Sequence, residues 1–191
     1  MIDRNEALRK LAMNMARYSG VAPLAKPLMG GLGAILMLHH VSNDVPKPLG
    51  LNSHLTITPG FLDEVLTLMK QIGYVFVDMD EALARIRKPS SGERFATITA
   101  DDGYRDNLVE ALPVLERHGA PITVYVAPGL VEGAVDVWWE LLEDIVTKAD
   151  AVRMPVTGEE TVFDCTDAST KRDSFCRILN HLTEDIAEED Q

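Results

Sequence analysis

Four short apolar runs punctuate this chain, and a segment of helical periodicity follows each one. The runs are AILMLH (Ala34–His39), YVFVDM, FATITA (Phe95–Ala100) and ITVYVA (Ile122–Ala127). The first is nearly continuous in apolar residues, as a strand buried on both faces is, and the other three are strand-like. The first intervening segment is TPGFLDEVLTLMKQIGY. Thr58 suits an N-cap there and Pro59 the first helical position; Phe61, Leu62, Val65, Met69 and Ile72 form an apolar stripe that Gly73 stops. DEALARIRK reads as a short helix capped by Asp80. NLVEALPVLERHG reads as a helix kinked at Pro113 and ended by Gly119. VWWELLEDIVTKA reads as a helix with Trp138, Leu141, Leu142 and Ile145 inward. Repeated strand-then-helix order requires a parallel sheet with helical crossovers, the α/β class.

The ends of the chain depart from this alternation. Residues 1–30 read as an N-terminal helical extension, with Asp3 and Glu6 at capping-box spacing and Leu8, Leu11, Ala12 and Met15 on one face. Residues 31–150 hold the alternating unit. Residues 151–191 read as a hairpin over AVRMPVTGEETVFDC with TGEE as its turn, a helix over STKRDSFCRILNHLTE, and an acidic tail.

Charge and composition exclude several classes. Lys and Arg number 18 against 30 Asp and Glu, a formal net charge of -12. An acidic surface disfavours nucleic acid, whose phosphates need basic partners, and disfavours anionic lipid. Apolar residues at 46% argue against a disordered chain. No apolar run is long enough to span a bilayer, and charges interrupt the opening MIDRNEALRK from Asp3 onward, unlike a secretory signal. A cytoplasmic protein is expected, with Cys165 and Cys176 as reduced thiols.

The chemistry concentrates in TITADDGYRDN (Thr97–Asn107). It lies where a buried strand ends, the edge at which parallel α/β folds gather functional residues. Two adjacent carboxylates, Asp101 and Asp102, are costly to hold together without a cation. One could bind metal while the other handles a proton. Gly103 permits the tight path of such a corner. Asp-Asp-Gly is equally good turn chemistry. Tyr104 and Asp106 could line a substrate groove, Arg105 could pair with Asp101 or Asp106, and Asn107 suits a cap for the next helix. His118, at a helix C-terminus, suits the dipole there.

TITADDGYRDN resembles the first motif of the polysaccharide deacetylases, the NodB-homology group that includes chitooligosaccharide deacetylases. ILMLHHV resembles that family's first barrel strand. FLDEVLTLMKQIGYVFVDMDEAL resembles the helix and strand that follow, APITVYVAPGLV the strand after the motif, and VWWELLEDIV a segment of one bacterial subgroup. The resemblance covers about residues 30 to 150, in order. It implies a distorted (β/α) barrel of the polysaccharide deacetylase type, incomplete in this chain. It implies Asp101 as general base, Asp102 as ligand of a divalent metal such as zinc, and an N-acetylated carbohydrate as substrate. It places His39 near the rim of the site, where a packed structural histidine is the alternative.

The chain departs from the family in three respects. Ala100 stands where an aromatic residue often precedes the Asp pair. None of His39, His40, His54, His118 and His181 has the spacing of the family's later His-(Ser/Thr)-x-x-His motif, and no general-acid histidine is found. The four strand-like runs are fewer than the family's barrel requires. A part-barrel leaves an unpaired edge, through which copies could associate. The expectation is a metal-dependent deacetylase represented by its N-terminal portion, weak or inactive alone. The alternatives are a noncatalytic carbohydrate-binding or assembly module on a degenerate barrel, and a cytoplasmic cyclic-amide hydrolase.

Overall fold

The computed structural model of the chain describes residues 31–45, 47–88 and 92–185, together with Leu8, Leu11, Asn14, Met15 and Tyr18. Those five residues are helical and exposed. The rest of the 1–30 extension and the end of the acidic tail lie outside the described residues.

Four parallel strands carry the first half: β1 (Gly33–Leu38), β4 (Tyr74–Phe76), β5 (Arg94–Ala100) and β6 (Ile122–Val124). Two minor strands, β2 (His40–Val41) and β3 (Thr56–Ile57), pair with each other just beyond β1. Strand β5 is central. Strand β1 pairs with it from Phe95 to Ala100. On its other edge, β4 takes Arg94–Ala96 and β6 takes Ile98–Ala100. This α/β sheet forms no closed barrel among the described residues.

The helices form where their end signals predict. Helix α1 (Pro59–Gln71) starts behind Thr58, whose side chain accepts from Phe61 N at 3.1 Å. Helix α2 (Met79–Arg87) is capped by Asp78, not by Asp80 as the sequence suggested. The reason lies in the preceding strand: Val77 N still donates to Ala96 O at 3.0 Å, so the chain leaves the sheet at Asp78. A π-helical turn (Asn107–Ala111) leads into α3 (Leu112–His118), with Pro113 in its first turn and Gly119 left-handed at its end (φ 59°). The irregularity expected at Pro113 takes the form of that π-helical turn: helical backbone runs through Asp106, Ala111 and Leu112, and proline has no N–H with which to continue the ladder.

One face of the sheet builds the first core. Leu38, Ile98 and Ala100 pack with Leu62 and Leu66 of α1 and Val114 and Leu115 of α3. Phe61 and Ile72, read as part of the α1 stripe, are exposed. Strand β1 is not buried on both faces, because Ile35 and Met37 are each 62% exposed. Nothing pairs with its outer edge among the described residues.

A second core lies beyond α4 (Pro128–Val131). Leu142 and Val146 of α5 (Trp138–Lys148) pack with Phe163, Phe175 and Ile178, from β8 (Glu159–Asp164) and α6 (Ala168–Asn180). Strand β7 (Ala151–Val156) pairs antiparallel with β8 through a Thr157–Gly158 turn, both residues at positive φ. This is the predicted hairpin. Helix α5 therefore turns Leu142 and Val146 inward, whereas Trp138, Leu141 and Ile145 are exposed. Lys171 of α6 fixes the join: its Nζ donates to the carbonyls of Val146, Thr147 and Ala149 at 2.9, 2.9 and 2.6 Å, satisfying the end of α5.

Candidate active site

The corner Asp101–Asp106 follows the last residue of β5 directly. Asp101 N donates to Leu38 O at 3.0 Å, carrying the β1–β5 pairing one residue past the strand. The next two residues are left-handed, Asp102 at φ 67° and Gly103 at φ 72°. Aspartate visits that region more readily than most residues, because its short polar side chain can bond locally. A Cβ at Gly103 would stand 3.5 Å from Val126 Cγ2, an ordinary contact, so backbone conformation and not space asks for glycine there. Asp101 and Asp102 are both half-buried at this bend.

Tyr104 lies half-buried beneath the bend, its ring 3.6 Å from that of His40 at an interplanar angle of 36°. Its hydroxyl is buried and meets no hydrogen-bond partner among the described residues. Burial, followed by the negative charges of Asp102, Glu140 and Asp106, pushes the phenol up to about 12. The Trp139 indole pulls weakly the other way without reaching hydrogen-bond geometry. The phenol is therefore a standing donor at neutral pH.

Asp106 faces back toward the first strand. Its Oδ2 is 2.6 Å from His40 Nδ1, and Oδ1 accepts from Val41 N at 3.4 Å. A carboxylate only accepts, so the imidazole Nδ1–H donates. The other ring nitrogen, His40 Nε2, is 3.4 Å from Glu140 Oε1 of α5. Asp106 thus pairs with His40 and not with Arg105.

Asn107 is buried but caps no helix. Its Nδ2 donates to His39 O at 2.8 Å. Glu110 extends the same seam, accepting from Ser42 Oγ and Asn43 N, each at 3.1 Å. Segment 38–43 and segment 101–110 are thereby laced together. His118 Nε2 lies 3.0 Å from Asp63 Oδ1 of α1, a link between helices.

Sequence reasoning singled out His39, yet its neighbour His40 meets Tyr104 and Asp106. His39 is half-buried, and its carbonyl is what Asn107 holds. Successive side chains at a strand end point to opposite sides, so only one histidine of the pair can face the corner. Glu110 and Glu140 were missed. Glu110 comes near through the pairing of β1 with β5 and Glu140 through the approach of α5 to His40, and no local spacing signals either.

A cavity of about 620 Å³ adjoins the network. His40, Asp106 and Glu140 line it, with Lys47, Asn52 and Ser53 opposite; Asp101 and Asp102 do not. Buried Glu143 supports its wall, accepting from Leu51 N at 2.9 Å and Asn52 N at 3.3 Å.

The donor set does not amount to a zinc site by itself. Catalytic zinc takes about three protein ligands. No group of three or more His, Cys, Asp or Glu side chains placed to hold a metal ion occurs among the described residues. No described helix is long and apolar enough to cross a membrane.

A family model described as polysaccharide deacetylase matches residues 88–152, a stretch that contains β5, the corner and β6. No curated protein matches the chain. Among solved structures, the Streptococcus pyogenes deacetylase PplD in complex with acetate is 26% identical, with a TM-score of 0.44 over 58% of this chain and 50% of that one. IcaB from Ammonifex degensii is 25% identical, with a TM-score of 0.42 over 60% and 48%. A de-N-acetylase from Aggregatibacter actinomycetemcomitans is 16% identical, with a TM-score of 0.40 over 70% and 45%. The chain spans about half the length of each of these structures. The matched stretch, residues 88–152, encloses the Asp-Asp-Gly corner and is similar to the polysaccharide deacetylases, the family that TITADDGYRDN resembles.

Proposed function

We propose that this chain is the N-terminal part of a metal-dependent hydrolase that removes N-acetyl groups from a carbohydrate. The observation that carries the reading is the Asp101–Asp102–Gly103 corner, at the carboxyl end of the central strand and inside the matched stretch. In this reading Asp101 is the general base and takes the proton of the attacking water. Tyr104 sets its ring beside the substrate groove, with its hydroxyl turned inward. Asp106 lines the groove beside it, with His39 at the rim. Asp102 is one ligand of a divalent metal, zinc being the expected ion. The chain's described donors do not complete that site, so no step is derived through the metal. On the same ground the chain alone is expected to be weak or inactive.

The edge of β1, unpaired among the described residues and with Ile35 and Met37 exposed, supports self-association as part of this proposal. Sedimentation across a concentration series tests it. The noncatalytic carbohydrate-binding alternative is favoured by one observation, the incomplete donor set among the described residues.

Acetate release from chitooligosaccharides separates the two. The deacetylase reading expects any release by the protein to fall about 10²- to 10⁴-fold in Asp101→Asn, the usual worth of a general base. Release that is indifferent to Asp101→Asn contradicts the assignment. Sugar binding with no release under any metal supports the alternative.

A further inference from the structure

We infer that His40 is the positioning residue of the Asp101–Asp106 corner: it clamps Asp106 through Nδ1 and backs the ring of Tyr104, so that the Asp101 and Asp102 carboxylates keep one setting. The consequence for deacetylation rests on the proposed function; the clamp itself rests on geometry.

Both ends of the corner are tied by backbone acceptors of the first strand. Asp101 N holds Leu38 O, and Asn107 Nδ2 holds His39 O. Between them run two left-handed residues, Asp102 and Gly103. Asp102, an L-residue held left-handed, is strained, so the bend persists only where its surroundings enforce it. The enforcing contacts inside the bend come from His40. It meets Asp106 at 2.6 Å and the Tyr104 ring at 3.6 Å, while Nε2 faces Glu140 at 3.4 Å. One imidazole thus joins β2, the corner and α5. Without it, Asp106 would keep only the long bond from Val41 N at 3.4 Å. Hydrogen bonds to a charged partner are among the stronger ones, and this one spans 66 positions of sequence.

The test is residue-resolved hydrogen exchange on the whole 191-residue chain. In His40→Ala the hydrogen-bonded amides that hold the corner, those of Val41, Asp101 and Asn107, should exchange about tenfold faster, the worth of one charge-assisted bond, while those of Ile98 and Thr99 are unchanged. His40→Asn places an amide donor near the former Nδ1 and should restore most of the protection. A merely space-filling histidine would not be rescued in this way. Unchanged exchange in His40→Ala, or an Asn variant no better than Ala, overturns the inference. If His40→Ala does not fold, Asp106→Asn keeps the size and weakens the bond. It must then accelerate the same amides about threefold, and no change there also overturns the inference. Acetate release plays no part in this readout, so the clamp and the deacetylase reading can each fail alone.

Discussion

Asn107 reaches back 68 positions to donate its side-chain amide to the carbonyl of His39 at 2.8 Å. The bond lies at the far end of the Asp-Asp-Gly corner and closes it against the first strand. Its residue is only 5% exposed, so a substitution there cannot be repaired by water.

Asn107→Ala should therefore destabilise the fold by about 1–3 kcal/mol, the cost of leaving a part-buried carbonyl without its donor. Urea unfolding measures it. A change in midpoint at constant slope is expected, and an unchanged midpoint would show that the seam is dispensable.

Tyr104→Phe should behave in the opposite way. The hydroxyl is buried and has no partner among the described residues, so its removal relieves an unpaired polar group. The variant is expected to be as stable as the parent or slightly more so. Its affinity for N-acetylated sugar should be unchanged, because the buried hydroxyl does not reach a ligand. Thermal melts together with sugar titrations check both halves, and a clear loss of stability would mean that the hydroxyl is satisfied after all.

Asp167 governs part of the acid response. Backbone hydrogen bonds from Thr170, then from Ser169, hold its carboxyl below the ordinary value of 3.8. The folded pKa is depressed, so the stabilisation is present above 3.8 and is lost as pH falls through the lower folded value. Asp167→Asn keeps a good N-cap but removes the titration. Its stability should fall less steeply than the parent's over that acid window, as followed by circular dichroism. Identical acid limbs would assign the pH dependence to other groups, such as Asp63 beside His118 and Arg117.

Much of the fold was legible because its signals are local. Thr58 and Pro59 open a helix, Gly119 closes one, and Thr157–Gly158 turns a hairpin, each through residue types that suit one backbone conformation. The corner at Asp101–Gly103 was legible for the same reason. Asp78 and Asp80 offered the same capping chemistry, and only the reach of the β4–β5 pairing decides between them. The inward face of α5 depended on a second core, formed with a hairpin that lies after it in sequence. Likewise His40 carried no local mark separating it from His39, since its partners Asp106 and Glu140 come from distant segments.

The central claim is that the chain carries the Asp-Asp-Gly corner proposed for deacetylation without a self-sufficient metal site among its described residues. Calorimetric titration of the chain with zinc, with Asp102→Ala as control, tests it most directly. The account predicts no tight one-to-one binding by the unaltered chain. Tight stoichiometric binding abolished in Asp102→Ala would contradict it, because the site would then be complete with ligands of this chain alone.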